Sequence, residues 1–251
     1  MQTYPTDLTV EQRNYILANF PELLSTKSKT DVFDFINAIF YLAKSGCQWK
    51  LLPKSFPGWR STYNFFRKWT DNGLFSKLTS ALTAEAEKMT VQQEAIIDSQ
   101  SVRTGLPQSV KGIDGGKKIK GIKRHISVTK SGYPIEIFIT KANVHDSKAA
   151  CPLICKTIVT MPSICTVKGD LGYRGSLGGL LNETLKVNLL CIKSNFGSSG
   201  FKPIQGRWVV ERTFAWLERF RRLCRNYEQL IRTVTGMAWI ACAMFMLRFC
   251  R

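Results

Sequence analysis

Apolar residues recur at three- to four-residue spacing through the first third of the chain and give way to short runs and alternations beyond it. Thr9 followed by Gln12 has the spacing of a capping box and opens a helix. Thr30 caps a second one, DVFDFINAIFYLAKSG, with apolar positions 32, 33, 36, 39, 40 and 43 on one face and Gly46 as its stop. Pro53 and Pro57 mark a turn, and GWRSTYNFFRKWTDNGLF follows. There Trp59, Tyr63, Phe66 and Trp69 share one face, while Arg60, Ser61, Asn64, Arg67 and Lys68 fall mainly on others. Residues 1–90 therefore read as a helical domain. A helix-turn-helix whose second helix offers Arg60, Arg67 and Lys68 to DNA fits this layout. A small bundle with a solvated basic face fits it equally.

The pattern changes after residue 94. AIID is a short apolar run ending in Asp98, and HISVTKSGYPIEIFIT reads as a hairpin around residues 130–132. A helix over 147–160, a strand at 164–167 leading to Asp170, a helix over 176–185 and a strand over 188–192 come next. A long arginine-rich helix starts near residue 206. Hairpin strands followed by strand–helix alternation predict an α/β fold with a mixed sheet and helices on its faces, spanning residues 91–251. Residues 106–123 are rich in Gly and Lys, which predicts a mobile loop. The uncharged stretch TVTGMAWIACAMFML, 233–247, is about 15 residues against the roughly 20 that a bilayer requires, so it reads as a buried core helix and not a membrane span.

Charge sharpens the picture. Lys and Arg number 36 against 18 Asp and Glu, a net charge of +18. Such a field attracts polyanions, with nucleic acid ahead of an anionic membrane surface as the expected partner. The N-terminal residues lack the basic-then-apolar layout of a secretory signal. The eight cysteines include no CxxC pair, and His125 and His145 stand far from paired cysteines, which argues against zinc and for a reducing cytoplasm.

Against that basic background the acids stand out. Asp98 and Asp170 each end an expected buried strand, and Glu211 sits among arginines in RWVVERTFAWLERFRRLCR. An acid in such a place is costly unless something pairs with it. Two Mg²⁺ ions about 3.5–4 Å apart activate a water and neutralise the oxygens of a phosphodiester under attack. Mg²⁺ takes hard oxygen ligands and retains waters, so few carboxylates suffice. Asp98, Asp170 and Glu211 are the candidate ligands, with Asp146 as competitor. Arg207, Arg219, Arg222, Lys120, Lys123 and Arg124 are candidates for holding the DNA backbone. A solvated face with i,i+4 pairs, such as Glu218 with Arg222, is the competing reading of the helix arginines.

The segments IIDSQSVRTG, KIKGIKRHI, TKANVHDSKAA, GDLGYRG and RWVVERTFAWLERFRRL, in this order, resemble insertion-sequence transposases of the IS5 type within the IS4/IS5 superfamily. FYLAKSGCQWKLLPKSFPGWRSTYNFFRKW resembles the helical domain that precedes the catalytic domain in that family. The resemblance covers roughly residues 30–230. It implies an RNase H-like catalytic fold with a DDE triad, Asp98, Asp170 and Glu211, and Mg²⁺ or Mn²⁺ as cofactor. It implies terminal inverted repeats and target DNA as partners, and at least a dimer to synapse two ends. Arg207 takes the place of the arginine in the family's tyrosine–arginine–glutamate–lysine signature. Ile204 stands at the tyrosine position, Glu218 at the lysine position, and Leu171 where a basic residue is common. A nuclease of the same fold that cleaves without joining, and a DNA-binding protein without catalysis, are the alternatives.

Overall fold

The computed structural model describes residues 4–21, 30–88, 93–173, 177–192 and 207–249. Four helices come first: α1 (Val10–Asn19), α2 (Val32–Ser45), α3 (Trp59–Asp71) and α4 (Leu74–Ala86). The Thr9–Gln12 capping box opens α1 as expected, with each side chain bonded to the other's backbone amide. The cap of α2 is Asp31, one residue later than expected, and its carboxylate accepts from the Phe33 amide. Gly46 ends α2 at φ 73°, and a Cβ there would stand 2.8 Å from the Arg221 Cβ. Phe66 and Trp69 point inward from α3, Trp59 and Tyr63 are half-buried, and Arg60, Arg67 and Lys68 are exposed. The connection between α2 and α3 runs over residues 46–58 with a 3₁₀ turn at Trp49–Leu51, longer than the tight turn of a compact helix-turn-helix.

Six strands follow: β1 (Glu94–Arg103), β2 (Gly112–Asp114), β3 (Ile119–Val128), β4 (Pro134–Lys141), β5 (Thr166–Gly169) and β6 (Asn188–Cys191). β3 carries β2 and β4 on one edge and β1 on the other; β5 and β6 extend the sheet beyond β1. The β1, β3 and β4 pairings are antiparallel, and β1–β5 and β5–β6 are parallel. The order β4-β3-β1-β5-β6, three strands antiparallel and two parallel, is that of an RNase H-like sheet. Two sequence expectations change here. Asp98 lies mid-strand, because β1 continues through the alternating polar residues to Arg103. Residues 112–114 and 119–123 of the expected loop are strand. Asp114 fastens the intervening turn, accepting from Ser101 Oγ at 2.6 Å and from the amides of Gly116 and Lys117.

Helices cover both faces. α5 (Asp146–Thr160) and α6 (Leu177–Leu185) cover the face bearing Ala95, Ile97 and Ile135. The face bearing Ile96, Val102, Ile122 and Ile126 packs with α7 (Arg207–Glu218) and α9 (Ile231–Met246). The expected long basic helix is broken: after Glu218 the chain turns Phe220 into the core and resumes as α8 (Arg221–Cys224). With its following 3₁₀ turn, Ile231–Phe249 is apolar and long enough to cross a membrane. It is buried instead, with Met237, Ala238, Ile240 and Ala243 inside a single core shared with α2, α3 and α4.

Candidate active site

Asp98 and Asp170 come together through strand register. β1 and β5 run parallel with Ile96 opposite Lys168, so two residues further along Asp98 comes level with Asp170. Successive side chains alternate, which places Asp98 on the face of Ile96, the α7 side. Both aspartates are half-buried. Asp98 Oδ1 accepts the Ser99 amide at 2.7 Å and Asp170 Oδ1 the Gly172 amide at 2.9 Å. Tyr173 lies beneath them at 1% exposure. Burial raises its phenol well above the ordinary range, and the charges of Asp98, Asp146 and Asp170 push the same way while Ser99 opposes. All three aspartates therefore lie within electrostatic reach of one hydroxyl.

Glu211 arrives on α7. Gln100 Nε2 donates to Glu218 Oε1 at 2.6 Å, fixing the C-terminal end of α7 against β1. Midway along the helix Arg212 and Thr213 donate to the carbonyls of Ser131 and Gly132, in the turn that follows Val128, the partner of Ile96. The helix thus runs along β1 in the same direction. Glu211 precedes Glu218 by two turns on the same helix side, about 10 Å, and Asp98 precedes Gln100 by about 7 Å on the same strand face. Glu211 thus lies on the helix that packs beside β1, on the side of α7 that carries Glu218. Its side chain is exposed at the edge of this face. Among the described residues no group of three or more acidic, imidazole or thiol side chains stands close enough to hold a metal ion. Asp98 and Asp170 supply hard oxygens of the kind that suit a divalent cation which keeps its waters.

Asp146, the competing acid, is committed elsewhere. It is the first residue of α5, capped by His145. Its Oδ1 accepts from Ser99 Oγ at 2.9 Å and lies 3.1 Å from Lys123 Nζ, on the sheet face opposite Asp98.

The basic candidates divide sharply. Lys123 is 7% exposed, held between Asp114 and Asp146 with a bond to the Val144 carbonyl. Arg124 is 3% exposed and donates to the Leu223 carbonyl, and burial lowers its guanidinium to about 10. Arg222 is paired with Glu228 at 2.7 Å, donates to the Cys47 carbonyl and lies over the Tyr227 ring. The three were expected at the DNA backbone, but their partners fix them inside the protein, and the anticipated Glu218–Arg222 pair is replaced by Gln100–Glu218 and Arg222–Glu228. Lys120, Arg219, Arg60, Arg67 and Lys68 are exposed. Arg207 begins α7, but its side chain, and Ile204, lie outside the described residues. Arg221 and Arg225 are exposed, as the solvated-face reading of the helix arginines has it, and Arg103, exposed at the end of β1, carries no signal in its spacing that sets it apart.

A mixed sheet with helices on both faces and two aspartates beside its parallel pair fits the class of nucleotidyl-transferring enzymes. Residues 90–195 and 202–246 match the family described as "Transposase DDE domain", and residues 14–79 match "Putative transposase of IS4/5 family". The chain belongs to the DDE transposases of the IS4/5 group. The protein described as "Putative transposase for insertion sequence element IS402" of Burkholderia cepacia is 31% identical over 155 residues, 56% of this chain and 68% of that protein. Its counterpart for IS6501 of Brucella ovis is 24% identical over 131 residues, 50% of this chain and 98% of that protein. Among solved structures, a pre-cleavage Mos1 transpososome aligns over 95% of this chain and 88% of that one, with 11% identity and a TM-score of 0.31. The Mos1 mariner paired-end complex with Mn aligns over 96% and 88%, with 11% identity and a TM-score of 0.30.

Proposed function

We propose that this transposase binds the terminal inverted repeats of its element and carries out strand cleavage and strand transfer at the face shared by Asp98, Asp170 and Glu211. The observation that carries the assignment is the parallel β1–β5 register, which brings Asp98 level with Asp170. Mg²⁺ or Mn²⁺, when bound, supplies a nucleophile at neutral pH and charge neutralisation on the attacked phosphate. The chain's own residues hold and aim. Asp98 and Asp170 are fixed by the Ser99 and Gly172 amides, and Glu211 is carried by a helix tied down at its middle and its C-terminal end. Exposed Lys120, Arg103, Arg219 and Arg225, with Arg60, Arg67 and Lys68 on α3, supply positive charge for DNA on either side. Two ends are brought together by at least two copies of the chain.

The test is cleavage and joining of a DNA carrying the element's ends. Asp170→Ala is expected to abolish both products while DNA binding persists; full divalent-metal-dependent activity in that variant sinks the assignment. Asp146→Asn is the control: it is expected to lower the melting temperature rather than select against the chemistry alone.

A further inference from the structure

Two residues along β1 from Asp98 lies a cavity of about 230 Å³. It is smaller than the ~300–1,000 Å³ of drug-sized sites and suits a single planar ring system. Val102, Ile119 and Leu223 line it with hydrocarbon, and Gln100, Glu218 and Arg225 supply its polar groups. The Gln100 amide gives its NH₂ to Glu218 at 2.6 Å. Its carbonyl oxygen is then buried with no partner among the described residues. A carboxylate therefore borders one small cavity, with the unsatisfied amide oxygen enclosed behind it. Beneath it the buried guanidinium of Arg124, held by the Leu223 carbonyl, feels the Glu218 charge, so the carboxylate has a fixed cation behind it. Arg103 and Arg225, both exposed, also line the cavity.

We propose that this cavity receives one unpaired nucleobase bearing an exocyclic amine, from the nucleotide next to the phosphodiester handled at Asp98. The charge distribution selects the occupant. A carboxylate repels phosphate, so phosphate belongs with Arg103 and Arg225 while the base edge meets Glu218. Adenine, cytosine and guanine offer an amino group to this acceptor; thymine offers only its N3–H, flanked by two carbonyls that the carboxylate repels. A base still stacked in duplex cannot enter, so the occupant is unpaired or extruded. The distance fits: Gln100 lies about 7 Å beyond Asp98 along the strand, one to two steps of a stacked strand at about 3.4 Å each. Glu218 then becomes a specificity-determining residue rather than a misplaced phosphate contact.

This inference rests on the strand-transfer reading above but is tested apart from it. The full-length protein is titrated with labelled pentanucleotides, TTXTT, where X is A, C, G, T or an abasic site. Binding of the amino-bearing bases is expected to be about tenfold or more tighter than of T or the abasic strand. Glu218→Ala is expected to abolish that preference with only a small fall in melting temperature, because the one hydrogen bond it removes is exposed. Glu218→Gln, which keeps an acceptor, is expected to retain part of it. Equal binding of all five strands, no detectable binding, or a preference that survives Glu218→Ala overturns the proposal. A preference present in a protein that fails to join DNA ends would leave the cavity assigned and refute only the catalytic reading.

Discussion

Arg222 separates a structural arginine from a DNA-binding one. Its side chain and that of Glu228 retain 8% and 10% exposure. The guanidinium also reaches the Cys47 carbonyl and packs over Tyr227, tying α8 to the turn after α2. Arg222→Met keeps the length and removes the charge, leaving the Glu228 carboxylate buried without its cation. Breaking one side of a buried pair costs about 3–5 kcal/mol. For a chain of this size each kcal/mol moves the melting temperature by about 2–4 °C, so a fall of roughly 6–20 °C is expected. Arg222→Met with Glu228→Gln removes both charges and should recover most of that loss. Two measurements decide the matter: thermal melting, and the slope of log K for DNA against log salt. Arg219→Ala, at an exposed position, should lower the slope by about one phosphate contact with little change in melting. Arg222→Met should do the reverse. A melting shift below about 2 °C together with a reduced salt slope would place Arg222 at the DNA and refute the argument.

Further outcomes follow from the same packing. A Cβ on Gly121 would meet the Val102 carbonyl and the Thr104 amide, both backbone atoms, so Gly121→Ala should yield little soluble protein, whereas Gly115→Ala, with nothing within 4 Å, should express normally. Burial lowers the His125 imidazole to about 4 against the favourable charge of Asp146, with Lys123 and Lys117 adding to the fall. Its folded pKa lies below its unfolded one, so the stability it contributes is present above about pH 6.5 and is lost as pH falls toward 4. Denaturant unfolding should show about 2 kcal/mol of this loss by pH 5, and His125→Gln should flatten that part of the curve.

The fold was legible wherever local chemistry and long-range packing agree. The Thr9–Gln12 cap, the turn around 130–132 and the strand–helix alternation after it are local signals, and each element forms where its residues indicate. The span of β1 beyond Asp98 was not legible, because Ser99, Ser101 and Arg103 look like loop residues until β3 supplies their partners. The same is true of Asp114, whose ordering role depends on Ser101 and Lys123. The candidate acids were legible by their rarity in a basic chain. The cations were not: Lys123 and Arg124 read like Lys120, and only the tertiary fold reveals that Asp114, Asp146 and the Leu223 carbonyl wait for them. Glu218 was noticed for its sign, but its partner Gln100 lies on a distant strand.

The seating of α9 has a genetic consequence. Its residues Met237, Ile240 and Ala243 cover the inner sides of helices encoded some 150 codons or more upstream, including Phe40, Phe75 and Leu82. A frameshift or deletion upstream of codon 231 strips that cover from both regions of the protein together. Decaying copies of the element would then produce no stable fragment able to occupy the ends and block an intact copy. A chain ending at residue 230 should be digested completely by a protease dose that leaves the full protein whole; a resistant helical fragment would show that interrupted copies do leave a competitor behind.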